Sequence, residues 1–335
     1  MCMFLAFLVM HRLVVARSDN YHEMVRDYLF DFHLFYYKDR SKYSAKVYAT
    51  VHVVSGVLTF YVQCQMVIGM FLFNLKPLFN NYSRGLFGDR PAPNATFEQA
   101  VYYYSPGDFA YTTKEGGVLL FVGNIPLTGF ITLGICVFDL LVSTITLQIL
   151  GHLEILKHSL LTMPLPKDVK RGMYSIEENV QIRQLLKEII QHHGVIVKFV
   201  DKCTEALSDY MFCFYFIMQL ITCILLLELS AVTWDALARY GPLNIVVFQQ
   251  LIQLSVLFEL INSKSVHLID AVYFVPWESM NTSNRRTALL LLHRVQTPLS
   301  LKAGKMVPVG VNTMAAILKT TFSYYMMLTT VASER

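Results

Sequence analysis

The chain has 335 residues, of which 54% are hydrophobic, 13% aromatic and only 16% charged, and it carries a net charge of +4. With a mean hydropathy of +0.44 it lacks the polar material to coat a water-soluble globule of this size. A soluble protein with an oversized core is excluded by the length of its uncharged stretches, several of which reach membrane-spanning length. The expected fold class is all-α, a polytopic transmembrane helical protein, because lipid offers backbone amides no partner outside a helix.

Residues 1–16 are apolar apart from His11 and Arg12 and are short for a span. A secretory signal is the alternative, since Val14 and Ala16 fit a small-residue cleavage pattern. No basic residue precedes the apolar centre, however, and Arg12 falls where polarity should stay low, so the segment reads as a partial transmembrane helix. A connection over 17–46 follows. Val47 to Leu75 is an uncharged run of 29 residues and gives a span over 47–75. The connection 76–115 holds the sequons Asn81-Tyr82-Ser83 and Asn94-Ala95-Thr96, making Asn81 and Asn94 candidate glycosylation sites if that loop faces the secretory lumen. A third sequon, at Asn281, falls in a connection expected on the opposite side.

The next uncharged run, Gly116 to Phe138, has 23 residues and opens a span over 116–150. The connection 151–204 carries a capping box, Ser175 with Glu178, ahead of Ile182, Leu185, Leu186 and Ile189. Those four share one helical face, so an amphipathic helix is expected, packing against other segments on its side of the membrane. Its apolar residues continue almost directly into the next span; Gly194 could bend it. Uncharged runs of 18 residues (Tyr210 to Leu227) and 19 residues (Tyr240 to Phe258) give spans over 205–230 and 241–263. A connection over 264–305 precedes a last helix over 306–332, which Lys319 interrupts. Six candidate spans result.

Charge sets the orientation. The connections 17–46, 151–202 and 264–305 hold six, eight and six of the 28 Lys and Arg residues, which places them in the cytoplasm. By parity the C-terminus is extracellular, opposite to what a rhodopsin-type receptor requires.

Chemistry-bearing motifs are few. The sequence has no Walker A loop, no G-x-S-x-G elbow and no G-x-G-x-x-G fingerprint, so no enzyme activity, cofactor or nucleic-acid partner is expected. The histidines near His152 and at His192-His193 lack metal-binding spacing and read as solvated residues at helix ends and in loops; no metal is assigned. The six cysteines fall mainly in apolar segments as small buried hydrophobes. Asp139 and Lys319 stand out, since ions in lipid are costly and call for a partner; these two are the one candidate pair. Glu228 and Glu259 lie near helix ends, where hydration explains them.

From Ala271 onward the chain resembles the insect odorant receptors. The resemblance is carried by Tyr273 with Trp277, Arg285-Arg286, Gln296 with Pro298, Ala303-Gly304, Thr313, Ile317-Leu318-Lys319 and Ser323-Tyr324-Tyr325. It covers about 65 residues strongly, and the order of hydropathy elsewhere more weakly. The related gustatory receptors usually end in a Gln-Phe pair where this chain has Thr330-Val331, which favours the odorant branch; a gustatory-type channel is the alternative. A transporter is the competing class, although neither internal repeats nor a clear midplane ion pair is visible.

The resemblance implies seven spans with a cytoplasmic N-terminus. Residues 1–16 then correspond to the second span, so a first span and leader are expected upstream. It also implies an odour-gated cation channel in the plasma membrane of olfactory neurons, in which four subunits, including a shared co-receptor, surround a pore. The last helix lines the conduit in that family, and Met327, Thr330 and Val331 stand at the matching positions, on one helix face. Ala303 to Lys319 would form its cytoplasmic part. A volatile odorant calls for an enclosed, mostly apolar pocket. Candidate lining residues in the outer halves of the spans are Met66, Met70, Phe71, Phe73, Phe130 and Ile131, with Tyr61 and Thr128 as hydrogen-bonding partners.

Overall fold

The computed structural model describes residues 2–88, 96–102, 104, 106–168, 172–229 and 234–333. The described residues are almost entirely helical. Four helices are long and apolar enough to cross a membrane: α3 (Lys42–Ser83), α5 (Lys114–Leu161), α6 (Ile176–Leu229) and α7 (Trp234–Tyr273). Two shorter apolar helices accompany them, α1 (Cys2–Ala16) and α9 (Val311–Ser333). Short helices fill the connections: α2 (Asp19–Asp27), α4 (Phe109–Thr112) and α8 (Thr282–Val295).

Three of the long helices, α3, α5 and α6, start where the sequence supplies a cap. Ser41 Oγ accepts from the Ser44 amide at 3.0 Å at the head of α3, and Thr113 Oγ1 accepts from the Gly116 amide at 3.1 Å at the head of α5. At α6 the capping box forms as the sequence indicates, with Glu178 N–H donating to Ser175 Oγ (3.2 Å) and Ser175 N–H donating to Glu178 Oε2 (2.7 Å). Ile182, Leu186 and Ile189 are buried, and α6 packs on α8 there. Gly194 does not interrupt α6, which runs unbroken for 54 residues. At 1.5 Å per residue that is roughly 80 Å, far more than a bilayer needs, so α6 projects well beyond the membrane at one end.

Several boundaries differ from the sequence-based ones. The helices overrun their apolar cores: α3 continues to Ser83, α5 to Leu161 and α7 to Tyr273. Hydrophobic run length measures the lipid-crossing part, whereas helix length is set by caps and neighbours. The last helix begins at Val311, not at residue 306 or Ala303. The preceding residues form an antiparallel hairpin, β1 (Lys302–Ala303) with β2 (Val307–Pro308), turning through Gly304 and Lys305 at positive φ. The hairpin docks on α6, the amides of Gly304 and Lys305 donating to Ser208 O (3.1 Å) and Oγ (2.7 Å). Immediately after it, Glu259 of α7 accepts from the Val311 amide at 3.2 Å and so caps α9. Gly310 leaves room for that carboxylate, since a Cβ there would collide with it.

The main core is a large cluster formed mainly by α5, α6 and α7, joined by α2, α8 and the turn Tyr28–Phe32, with two smaller clusters beside it around Val62 and Leu34. The end carrying α2 and α8 also holds the basic connections. Here His152 is fully buried and His192 and His193 nearly so, contrary to the solvated placement expected from sequence. His152 Nδ1 lies 2.9 Å from His192 Nε2, while its Nε2 lies 2.6 Å from the Phe32 carbonyl oxygen. All three are packing residues, and His152 and His192 are also matched partners, which loose spacing along the chain could not reveal. Among the cysteines, Cys136 and Cys203 are buried as expected, but Cys64 is exposed.

Candidate functional site

A cavity of about 380 Å³ opens among α1, α3, α5 and α7, at the end opposite α2 and α8. Its walls are overwhelmingly aliphatic, aromatic and Met side chains. Met3, Leu5 and Ala6 come from α1, Met66, Met70 and Phe73 from α3, Ile131 and Ile135 from α5, and Leu243, Val246 and Val247 from α7.

The roof is the segment joining α3 to α5, through Val101 and Tyr102. A sequence of fixed contacts holds it down. Asn81 and Glu98 exchange two bonds, Asn81 Nδ2 donating to the Glu98 carbonyl (2.7 Å) and the Glu98 amide donating to Asn81 Oδ1 (2.8 Å). Gln99 Nε2 donates to the Gly117 carbonyl at 3.0 Å. Phe97 packs on Gly117 so closely that a Cβ at that position would sit 2.7 Å from the ring. Asn81 is therefore corrected as a glycosylation candidate. It is 3% exposed, and the nitrogen that would carry the glycan is engaged in the roof. Asn94 lies outside the described residues.

Five of the predicted lining residues surround the cavity: Met66, Met70, Phe73, Thr128 and Ile131. The other three do not. Phe71 and Phe130 each follow or precede a lining residue by one position, which is 100° around a helix, and they point outward at 52% and 62% exposure. Tyr61 is also exposed and borders shallower grooves between α3 and α7. Thr128 is tied into the wall, its hydroxyl donating to the Asn124 carbonyl (2.7 Å) and accepting from Asn74 Nδ2 (2.9 Å).

Below the cavity lies a buried polar cluster. Arg12 Nη2 donates to both Asp139 oxygens, at 2.8 and 3.0 Å, and to Tyr210 Oη at 3.0 Å. Tyr210 Oη donates to Asp139 Oδ1 at 2.9 Å, and Gln250 Nε2 donates to Oδ2 at 3.1 Å. Gln250 also lines the cavity, so this cluster ties α1, α5, α6 and α7 together directly beneath it. Asp139 thus pairs with Arg12 and not with Lys319, which is exposed on α9. The signal for this was present in Arg12, the one full charge within the first apolar segment, but only folding brings it to Asp139. Neither Tyr210 nor Gln250 was distinguishable from other polar residues of the spans.

On α9, Met327 and Thr330 face outward from the single chain, and Thr330 Oγ1 donates to the Met326 carbonyl at 2.9 Å. The Val331 side chain lies outside the described residues. Phe322, Tyr324, Met326 and Met327 leave this half of α9 with a broad exposed apolar surface.

Long apolar helices with a ligand-sized apolar cavity and a buried ion pair among them define a polytopic membrane protein with an internal site for a small apolar molecule. A family model described as 7tm Odorant receptor matches residues 2–322, and the chain belongs to that family. It is 25% identical over 265 residues to Odorant receptor 10 of Aedes albopictus, an alignment covering 76% of this chain and 63% of that one. It is 24% identical over 159 residues to Odorant receptor 42a of Drosophila melanogaster, covering 47% and 39% respectively. The chain therefore spans less than two thirds of the length of these relatives. Among solved structures, the fold is that of the insect olfactory receptor OR5 from Machilis hrabei. The TM-score is 0.79 at 16% identity, over 97% of this chain and 78% of that one. The same receptor in complex with eugenol gives 0.78 at 17% identity, over 98% and 79%.

Proposed function

We propose that the chain is a tuning subunit of an odour-gated, non-selective cation channel, assembled with a shared co-receptor in a heterotetramer of the plasma membrane. The observation that carries the proposal is the 380 Å³ cavity, apolar, roofed and set among the spans of an odorant-receptor-family chain. Small volatile molecules are its proposed ligands, and volatiles of the kind of eugenol are the first to try. Membrane lipid surrounds the spans and the C-terminus is extracellular. The pore runs along α9, with Met327 and Val331 as apolar gate residues and Thr330 offering a hydroxyl to a passing ion. The outward-facing surface of that half of α9 supports this reading, because the described residues of the same chain leave it uncovered and open to a neighbouring subunit.

A ligand opens such a channel only if it binds the open state more tightly. The cluster below the cavity joins the ligand-bearing helices to α6, and α6 and α7 hold the start of α9. The test is to express the full chain with and without the co-receptor and record current during puffs of volatile compounds. Cation current that requires both subunits, and that is lost when Ile131→Trp fills the cavity, supports the proposal. Uptake of a solute without channel current sinks it.

A further inference from the structure

The polar groups facing the cavity are not equivalent, and their existing partners determine what a ligand can offer them. Gln250 is the informative one. It is 6% exposed, lines the cavity and donates from Nε2 to Asp139 Oδ2. Asp139 also receives Arg12 and Tyr210, all as donors, so it acts there as a carboxylate, which accepts and cannot donate. Turning the Gln250 amide over would set its carbonyl oxygen against that carboxylate, and two buried acceptors facing each other are strongly unfavourable. The nitrogen end is therefore held by Asp139. With an N–H given to Asp139, the carbonyl oxygen is the acceptor that the amide keeps for the cavity.

The remaining lining groups do not offset this preference. The Thr128 hydroxyl already donates to Asn124 and accepts from Asn74. Thr132 has a hydroxyl that donates or accepts equally well. Tyr102 belongs to the roof and is 58% exposed, where water competes for it.

We infer that the cavity selects ligands that donate a hydrogen bond, namely alcohols and phenols on a compact apolar skeleton, over ketones, ethers and esters of the same shape. The inference rests on the odorant-receptor reading above. A site built around a buried acceptor rejects a ligand lacking the donor, because the acceptor is then left unpaired.

Matched pairs test it: 2-octanol against 2-octanone, and 4-ethylphenol against 4-ethylanisole, applied to the full chain co-expressed with the co-receptor. The donor of each pair should reach half-maximal current at a concentration at least about tenfold lower, equivalent to about 1.4 kcal/mol. In Gln250→Met, which keeps the side-chain length and removes the amide, the ratio should fall to within about twofold, a difference of only about 0.4 kcal/mol. Equal or greater sensitivity to the ketone and ether overturns the inference, as does an undiminished preference in a Gln250→Met chain displayed at the cell surface. If that variant does not reach the surface, the wild-type ratios decide alone. Silence toward a broad panel of volatiles, from a surface-displayed chain paired with its co-receptor, overturns the receptor reading itself and the inference with it.

Discussion

The two halves of α5 are packed in opposite ways. Before Ile135 only Gly116, Gly117, Asn124 and Thr128 are buried; from Ile135 to Leu156 every residue is buried except Val137, Leu141, Thr144 and Glu154. The first half borders the cavity, the second the joint core of α5, α6 and α7. The contrast assigns different work to each half. A loosely packed region has room for a ligand and for small helix shifts, whereas a close-packed one has few arrangements and passes displacement on. The Arg12, Asp139, Tyr210 and Gln250 cluster lies at the junction.

The largest effect is expected at that junction. Arg12→Met removes one partner of a buried pair and leaves Asp139 uncompensated, which costs about 3–5 kcal/mol. The variant should be depleted from the cell surface and melt early in detergent. Arg12→Met combined with Asp139→Leu removes both charges and should recover much of the loss. A double variant no better than Arg12→Met alone would mean that the cluster does not act as a pair.

The close-packed end can be loosened by acid. Its histidines lie beyond the apolar stretches of α5 and α6, on the side of the basic connections. Burial, followed by the neighbouring His192, pushes His152 down to about 3; burial and then Arg40 push His192 down to about 4. Burial and Arg294 also lower His193. Because these folded values lie below the ordinary histidine value of 6.5, the stability is fully present above that pH. It falls as the unfolded chain takes up protons that the folded one cannot. Between about pH 7.5 and about pH 5.5, His152 and His192 together should lower stability by about 2–3 kcal/mol. A melting temperature in detergent that stays flat over this interval would show that the pair is not buried as described.

Two smaller perturbations separate the halves further. Gly117→Ala forces the Phe97 ring to move and should loosen the roof by about 1 kcal/mol, since overpacking of this kind typically costs 1–3 kcal/mol. It should raise half-maximal ligand concentrations severalfold while leaving melting of the close-packed end nearly unchanged. Glu259→Gln weakens the charged cap on α9 by about 0.3–1 kcal/mol. It should shift basal current without altering the order in which ligands are ranked, which dose-response curves would reveal.

Much of this was legible in the sequence. The four uncharged runs mark the helices that are long and apolar enough to span, and Ser175 with Glu178 marks the start of α6, because both signals depend on residues close together along the chain. The region from Ala271 carries the family resemblance. Sequence was less informative about faces. Met70 and Phe71, or Phe130 and Ile131, are interchangeable in an aromatic membrane helix until neighbouring helices fix its rotation about its axis. The histidines and Asn81 were misread for a related reason, since burial is a property of the assembled bundle.

The sequence by itself determined the class of protein, the number of clear spans and the family, since lipid imposes helix and length on any sufficiently apolar run. Only the tertiary structure decided which of those helices enclose the cavity, that Arg12 meets Asp139 across 127 positions of chain, and which end of the Gln250 amide is left for a ligand. Those outcomes depend on how side chains from separate helices satisfy one another, and no local signal along the chain encodes that pairing.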